Sequence, residues 1–161
     1  MANDLIQAVD AERHATILAL NNDHAQELSL LSAEDLAQMV AGAFHARRIG
    51  DGDAFLLTFD QGAAYTSPNF LWFKARYSRF VYVDRIVVSP KARGRGLARR
   101  LYEDLFACAK EAGHDRICCE VNAEPPNPAS DAFHAALGFT EVGQAAIHGG
   151  AKTVRYFCRG V

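Results

Sequence analysis

The chain has 161 residues, half of them hydrophobic, and a formal net charge of −2 at pH 7. This length predicts one domain over residues 1–161 with a sizeable core, and the hydrophobic content excludes a disordered chain. The near-neutral charge gives no reason to expect a nucleic-acid partner. The sequence shows neither a secretory signal peptide nor an apolar run of membrane length, so we expect a cytoplasmic protein without a membrane partner.

The cysteines favour a reduced protein. The four of them show neither a C-x-x-C pair nor the spacing of a zinc site. Cys118 and Cys119 are neighbours in a predicted strand and therefore point to opposite faces. We expect these two, Cys108 and Cys158 to be mostly buried thiols of a cytosolic protein, and we expect no metal.

In the N-terminal third, apolar spacing and turn residues predict strand, helix and strand. The apolar run from His14 to Leu20 predicts a first strand. Ser32 is a good N-cap, and the apolar stripe that follows it predicts a helix that ends only at Gly50. Residues 50–53 predict a turn, and residues 54–60 predict the next strand.

Residues 61–78 lack a clear hydrophobic period and read as an insertion between two strands. Three aromatic residues fall within four positions from Phe70 to Phe73. The segment is either a surface loop anchored by aromatic side chains or a lid over a ligand, and the sequence supports both interpretations equally.

The stretch from Asp84 to Ala98 is the most informative part of the chain. An apolar strand over 78–88 is followed by Ser89-Pro90, a basic turn with two glycines, and a helix that begins near Gly96. Such a turn points backbone N–H groups outward beside the positive end of a helix dipole. The arrangement predicts an anion site, most naturally for a phosphate or pyrophosphate.

Two common phosphate motifs do not fit this turn. A Walker loop needs Gly-Lys-Ser/Thr, which the turn lacks. A dinucleotide-binding fingerprint from Gly94 would need a small residue where Arg99 stands. The ligand is therefore expected to be another phosphate compound.

The C-terminal part predicts helices over 96–112 and 129–137 and strands over 116–122, 139–146 and 153–158. Asn127 followed by Pro128 is typical of an N-cap with proline in the first turn of a helix. Gly149 and Gly150 lie between the last two predicted strands and favour a hairpin.

Two separated motifs carry a family resemblance. Arg93-Gly94-Arg95-Gly96-Leu97-Ala98 resembles the Arg/Gln-x-x-Gly-x-Gly/Ala signature of the GCN5-related N-acetyltransferases (GNAT). Asn127, followed eleven residues later by Gly138-Phe139, resembles a second element of that family. The run Asn-x-x-Ser-x-x-Phe-His-x-x-x-Gly-Phe resembles the branch that acetylates small amino-acid-like amines, such as phosphinothricin acetyltransferases. Together with the strand–helix–strand spacing between them, the two motifs cover roughly residues 80–145.

The resemblance implies a fold of the α/β (α+β) class. In this GNAT fold a central mixed, mostly antiparallel twisted sheet of about six or seven strands is flanked by helices. A V-shaped cleft is expected between the fourth and fifth strands. Family members often form homodimers, so a homodimer is a possible partner state.

The resemblance also implies an activity. The expected enzyme moves the acetyl group of its cosubstrate acetyl-CoA directly to a primary amine, with help from a general base and without a metal. The acceptor we expect is a small-molecule amine. A peptide or protein N-acetyltransferase and a non-catalytic acyl-CoA-binding module are the alternatives.

Cofactor-binding residues are carried over from the family by position. Backbone N–H groups of the turn would hold the pyrophosphate, and the edge of the preceding strand would pair with the pantetheine arm. The expected residues are Ile86, Val87, Val88, Arg93, Gly94, Arg95, Gly96, Leu97, Ala98, Asn127 and Ser130.

Three residues are catalytic candidates. Asp84 and Glu120 lie on neighbouring predicted strands, and either could take the proton of the acceptor ammonium. Asp84 is the first choice, since relatives often place an acid on that strand, although a salt bridge with Arg85 or Arg116 is the alternative. His134 stands where the family commonly has a tyrosine that protonates the leaving thiolate, and it could equally be a surface histidine.

The acceptor side is expected in two segments, because in this family the first loop and the region of strands three and four face the acceptor. Asn21 and Asn22 lie in the first segment, and Tyr65 and Trp72 lie in the second.

Overall fold

The computed structural model describes residues 5–24, 30–124 and 126–161. In these residues the elements, in chain order, are β1 (Ile6–Ala8), α1 (His14–Asp23), α2 (Ala33–Gly42), β2 (His45–Ile49), β3 (Ala54–Asp60), α3 (Pro68–Lys74), β4 (Val81–Val88), α4 (Leu97–Glu111), β5 (Arg116–Asn122), α5 (Pro128–Ala136), β6 (Thr140–Ile147) and β7 (Lys152–Gly160).

The strands form one mixed sheet in the order β1-β2-β3-β4-β5-β7-β6. Strand β4 runs parallel to β5, with the register pairs Val81–Ile117 and Tyr82–Cys118. The pairs β1–β2, β2–β3, β5–β7 and β6–β7 are antiparallel. The fold class predicted from the resemblance, a mostly antiparallel mixed sheet with flanking helices, is confirmed.

The chain divides into two compact units, which we describe separately. Unit 1 comprises Met1–Ala64 and Val83–Leu105, and unit 2 comprises Tyr65–Tyr82 and Phe106–Val161. Strand β4 and helix α4 each contribute to both units. The expectation of one domain over the chain stays a prediction.

Helix α1 of unit 1 corrects the first predicted strand. The residues from His14 to Leu20 are helical, and the helix continues to Asp23. Ile17, Leu20 and Asn21 are its buried residues, and their i, i+3, i+4 spacing is that of one helical face. A short apolar run has no periodicity that separates a strand from a buried helix, which is why the prediction was wrong.

Helix α2 begins as predicted and ends earlier. Ser32 caps it in a capping box, accepting a hydrogen bond from the Asp35 N–H at 3.0 Å and donating its own N–H to Asp35 Oδ2 at 3.1 Å. The helix ends at Gly42, and the next residues form β2.

A side chain also connects β2 to β3. Thr58 Oγ1 accepts a hydrogen bond from the His45 N–H at 3.0 Å and donates one to the His45 carbonyl oxygen at 2.9 Å.

Unit 2 has an aromatic core. The segment 61–78, predicted as an insertion, contains the two-turn helix α3, in which Phe70 and Phe73 are fully buried. Phe70 and Phe73 contact Phe80 and Tyr82 of the chain leading into and along β4. Their packing anchors the aromatic-rich part of the segment in the unit.

The rest of unit 2 follows the sequence closely. Asn127 caps α5 through its side-chain oxygen, which accepts a hydrogen bond from the Ser130 N–H at 3.2 Å, and Pro128 occupies the first turn. Strands β6 and β7 form the predicted hairpin, with Gly149 and Gly150 at φ of 67° and 90°. L-residues with a Cβ rarely adopt such angles, so the turn depends on glycine.

Candidate active site

The turn between β4 and α4 has the conformation that its glycines permit. After the short 3₁₀ turn Pro90–Ala92, Gly94 and Gly96 adopt φ of +81° and +71°. A Cβ at either position would meet nothing within 4 Å, so the backbone angle, and not lack of space, requires glycine. Helix α4 begins directly afterwards and is 15 residues long, so its amino end faces this exposed turn.

Contacts within unit 1 hold the turn in place. The Ser89 N–H donates to the Asp53 carbonyl oxygen at 2.8 Å, and Arg95 Nη1 lies 3.6 Å from Asp53 Oδ2. Ala92 and Leu97, on either side of the turn, are 1% and 2% exposed. These contacts hold the turn in place while its backbone stays exposed, and its residues fit a pyrophosphate at a helix amino end.

The pattern of side-chain burial along β4 changes at Asp84. Before it, residues 81–83 are all buried, whereas from Asp84 onward half-buried residues alternate with buried ones. Ile86 and Val88, both expected to lie along the pantetheine arm, belong to the half-buried set, and Val87 is buried. The second half of β4 therefore has one face that is not fully packed.

The Asp84 carboxylate is held in an ion pair. Arg85 Nε donates to Asp84 Oδ2 at 2.6 Å, and the two side chains are 5–6% exposed. Arg85 Nη1 donates to Asn21 Oδ1 at 2.8 Å. The salt bridge that the sequence left open is therefore present, and it neutralises the first-choice catalytic base.

The two predicted acceptor residues in α1 continue this network. Asn21 is fully buried and donates from Nδ2 to Asn22 Oδ1 at 3.0 Å. Asn22 in turn donates to the Leu31 carbonyl and accepts from the Leu31 N–H, both at 3.1 Å. Both carboxamides are engaged inside unit 1, which favours a structural role over contact with an acceptor.

Glu120 has a different environment, in unit 2. On the β5–β7 register it stands opposite Tyr156, so the two side chains share a face of the sheet. The Glu120 residue is half-buried, and its Oε2 is inaccessible to solvent. Burial, followed by the nearby negative charge of Glu120, raises the pKa of Tyr156 to about 12, so this phenol stays protonated at neutral pH.

Tyr156 and Asn69 were missed by sequence reasoning. The Tyr156 hydroxyl donates to Asn69 Oδ1 at 2.9 Å, which links β7 to α3. The pairing of Tyr156 with Glu120 depends on strand register, and no local motif in the sequence reports that register.

Trp72 packs against the same tyrosine. The two rings stack with centroids 4.1 Å apart, and the Arg76 guanidinium lies 3.7 Å from the Trp72 ring centroid. A Cβ on Gly143 would lie 2.6 Å from the indole, so this indole position depends on a glycine in β6. The other predicted acceptor residue, Tyr65, meets Phe70 edge-on at 5.6 Å.

His134 is buried and is fixed in one tautomer. Its Nδ1 is 2.8 Å from the Ser130 carbonyl oxygen, which can only accept, so Nδ1 carries the proton. Burial lowers the pKa of His134, against smaller opposing effects of that hydrogen bond and of Asp131. The neutral ring then presents Nε2 as an acceptor, which suits proton uptake better than proton donation.

Within residues 5–24, 30–124 and 126–161, no cluster of three or more His, Cys, Asp or Glu side chains could hold a metal ion. None of the helices described for the chain combines the length and the apolar character needed to span a bilayer.

The turn and the strand before it lie in a segment that is similar to a known family. Residues 62–139 match the profile of the Acetyltransferase (GNAT) family. The match includes β4, the turn after it and α4. No curated protein matches the sequence.

Solved structures match along nearly the whole chain. The ribosomal-protein-S18-alanine N-acetyltransferase of Escherichia coli has 17% identity and a TM-score of 0.71, covering 98% of this chain and 94% of its own. The yncA protein of Salmonella typhimurium, assigned as an acetyltransferase and solved with acetyl-CoA, has 18% identity and a TM-score of 0.72 over the same shares of the two chains. A protein assigned as a phosphinothricin N-acetyltransferase has 16% identity and a TM-score of 0.72, covering 98% of both chains. At these identities the likeness shows the fold.

Proposed function

We propose that this protein is an acetyl-CoA-dependent acetyltransferase of the GNAT family that acetylates the primary amine of a small molecule by direct transfer, with Glu120 as the general base. The observation that carries the choice of base is the contrast between two carboxylates. Asp84 Oδ2 accepts from Arg85 at 2.6 Å, whereas Glu120 stands opposite a neutral phenol. A carboxylate oxygen that already accepts from a guanidinium is engaged in that ion pair, and this favours Glu120 as the base.

Acetyl-CoA supplies an acetyl group activated as a thioester. In unit 1, the N–H groups of residues 93–98 are assigned to the pyrophosphate and the backbone of 86–88 to the pantetheine arm. In unit 2, the residues assigned to that arm are Asn127 and Ser130. Asn127 uses Oδ1 to cap α5, so its contribution to a ligand would come from the Nδ2 amide.

The acceptor amine must lose a proton before it can react with the thioester. An aliphatic amine is mostly an ammonium ion at neutral pH, and only the free amine has the lone pair that attacks a thioester. Glu120 takes that proton. A backbone N–H near Val88 stabilises the negative charge that develops on the thioester oxygen.

His134 is a weaker candidate in this scheme. It can protonate a thiolate only as the imidazolium, and burial disfavours that charged form. We therefore expect it to contribute less to turnover than Glu120 does.

The acceptor class rests on the run from Asn127 to Phe139, which resembles the branch that acetylates small amino-acid-like amines. The fold match to the protein assigned as a phosphinothricin N-acetyltransferase is compatible with that class. The E. coli structure, a ribosomal-protein acetyltransferase, has the same fold, so the fold alone does not choose between acceptors.

The test is a screen of acceptors that follows release of free thiol from acetyl-CoA. Amino acids, aminosugars and polyamines are compared with peptides that carry a free N-terminus or a lysine. We expect the best small amine to exceed every peptide by at least about tenfold in kcat/KM. A preference for peptides would overturn the acceptor class, and no release with any amine would favour the binding module.

A further inference from the structure

We propose that Cys118 and Cys158 form a reversible redox pair in which hydroperoxide oxidises two thiols to a disulfide between β5 and β7. Their sulfur atoms are 3.0 Å apart, and both residues are free thiols in the structure. All atoms involved lie in unit 2. The pair is separate from the acetyl-transfer chemistry assigned above.

The backbone already has the geometry that a disulfide needs. Cys118 and Cys158 are direct partners in the antiparallel register of β5 and β7. Direct partners in antiparallel strands have Cα atoms about 4.5 or 5.5 Å apart, and disulfides span Cα separations of about 4.4–6.8 Å. Bond formation therefore needs a small movement of the two sulfur atoms and no change of register.

The two thiols have opposite characters, as a reactive and a resolving cysteine do. Burial raises the pKa of Cys118 and keeps it protonated, so it can donate a hydrogen bond to Cys158. That bond lowers the pKa of Cys158, and Tyr77 and Arg116 act in the same direction against the opposing effect of burial. Cys158 is also the partly exposed member, so it is the one that a small oxidant reaches first.

Tyr77 and Arg116 form the surroundings of the reactive sulfur. The Arg116 guanidinium lies 3.9 Å from the centroid of the Tyr77 ring, and both groups stabilise a negative charge on Cys158. A cationic and hydrogen-bonding environment around a partly exposed thiol is the pattern of redox-active cysteines.

The chemistry balances with hydrogen peroxide as the oxidant. The Cys158 thiolate attacks one peroxide oxygen, the O–O bond breaks, and Cys158 sulfenic acid and hydroxide form. The Cys118 sulfur then attacks the sulfenic sulfur, the S–S bond forms, and the sulfenic oxygen leaves as water with the Cys118 proton. Two thiols lose two electrons, and with the hydroxide neutralised the peroxide becomes two waters. A dithiol reductant reverses the reaction.

The pair lies beside the proposed general base. Cys118 and Glu120 are two residues apart on β5, and Cys158 and Tyr156 are two residues apart on β7, so all four side chains share one face. A change of turnover on oxidation would depend on the proposed role of Glu120. Formation of the disulfide does not depend on that role, so the two proposals can fail separately.

The experiment uses the full-length protein, hydrogen peroxide and peptide mapping without reductant, after denaturation and blocking of free thiols. Trypsin releases Cys158 in the peptide 156–159 and Cys118 with Cys119 in the peptide 117–152. We expect these peptides to be linked, with two hydrogen atoms lost, and dithiothreitol to separate them. We also expect Cys158 to react at least about tenfold faster than Cys108, and the oxidised protein to melt roughly 5–10 °C higher.

Cys119→Ser is the matched control, because Cys119 neighbours Cys118 but points to the other face. It should keep the linkage, whereas Cys118→Ser should lose it and accumulate a sulfenic acid at Cys158 that a dimedone probe captures. The inference is overturned if peroxide leaves Cys118 and Cys158 as thiols. A linkage that persists in Cys118→Ser, or that joins two protein molecules, would overturn it as well.

Discussion

Asp84 and Glu120 are both carboxylates within strands, but their neighbours give them different chemistry. In unit 1, Asp84 is paired with Arg85 at 2.6 Å, and that arginine is anchored on the fully buried Asn21. In unit 2, Glu120 stands opposite Tyr156, whose pKa it helps to raise. The comparison teaches that a strand position suited to a base is not enough, since a neighbouring cation turns the same group into a structural ion pair.

The largest expected effect is on turnover in Glu120→Gln. Loss of a general base typically lowers kcat by roughly 10²–10⁴-fold, while the KM for acetyl-CoA should stay unchanged. Steady-state kinetics with the best amine checks this. Glu141→Gln is the control, because Glu141 is half exposed and paired with Arg155 at 2.9 Å. A kcat close to that of the wild type in Glu120→Gln would remove Glu120 from the mechanism.

Asp84→Asn should act mainly on stability. The substitution leaves the buried Arg85 without its carboxylate partner. Removing one partner of a buried ion pair lowers the free energy of unfolding by about 3–5 kcal/mol. Urea unfolding measures the loss. Glu103→Gln breaks the exposed pair with Arg99 and should change stability by less than about 0.5 kcal/mol. An Asp84→Asn variant that is fully stable and inactive would make Asp84 the base.

Alanine at Gly94 or Gly96 should weaken acetyl-CoA binding. Each position has a positive φ that costs an L-residue about 1–2 kcal/mol, so the turn would shift away from its present conformation. We expect the Kd for acetyl-CoA, measured by calorimetry, to rise about tenfold. Gly42→Ala, in α2, also has open space at its Cβ and lacks a positive φ, so it should bind acetyl-CoA normally. Unchanged binding in all three variants would argue against this turn as the cofactor site.

The smallest expected effect is a pH dependence of stability from His134. Burial lowers the pKa of His134 below 6.5, so near that pH the unfolded chain binds more protons than the folded one. Stability should therefore fall as the pH decreases below 6.5, and His134→Gln should reduce that dependence. Burial also lowers the pKa of His45, so part of the pH dependence of stability should remain in the His134→Gln variant. A His134 pKa above 6.5 in an NMR titration would contradict the burial argument.

Local sequence signals predicted the parts of the fold that local chemistry decides. Strands β3 and β5 have the predicted limits, and the caps at Ser32 and Asn127 form as expected. The turn with Gly94 and Gly96 was readable because glycine and a helix start are both sequence features. Pairing between distant segments was not readable, and the error at the end of α2 comes from that, because residues predicted as helix pair with β3 as strand β2. The error in α1 comes from an apolar run too short to show a period.

The candidate site shows the same limit. The sequence proposed Asp84, Glu120 and His134, but nothing in it showed whether Asp84 would pair with Arg85 or with another cation. Tyr156 becomes part of the argument only through the register of β5 and β7. Roles that depend on which strand lies opposite need the folded protein.

The most direct test of the account is whether acetyl passes straight to the amine. Initial rates are measured over a matrix of acetyl-CoA and amine concentrations. In parallel, the reaction is quenched during turnover and the intact mass of the protein is measured by mass spectrometry. Direct transfer predicts intersecting double-reciprocal lines and no acetylated protein intermediate. Parallel lines with an acetyl group on the protein, on a cysteine for example, would indicate a covalent intermediate and contradict the proposed mechanism.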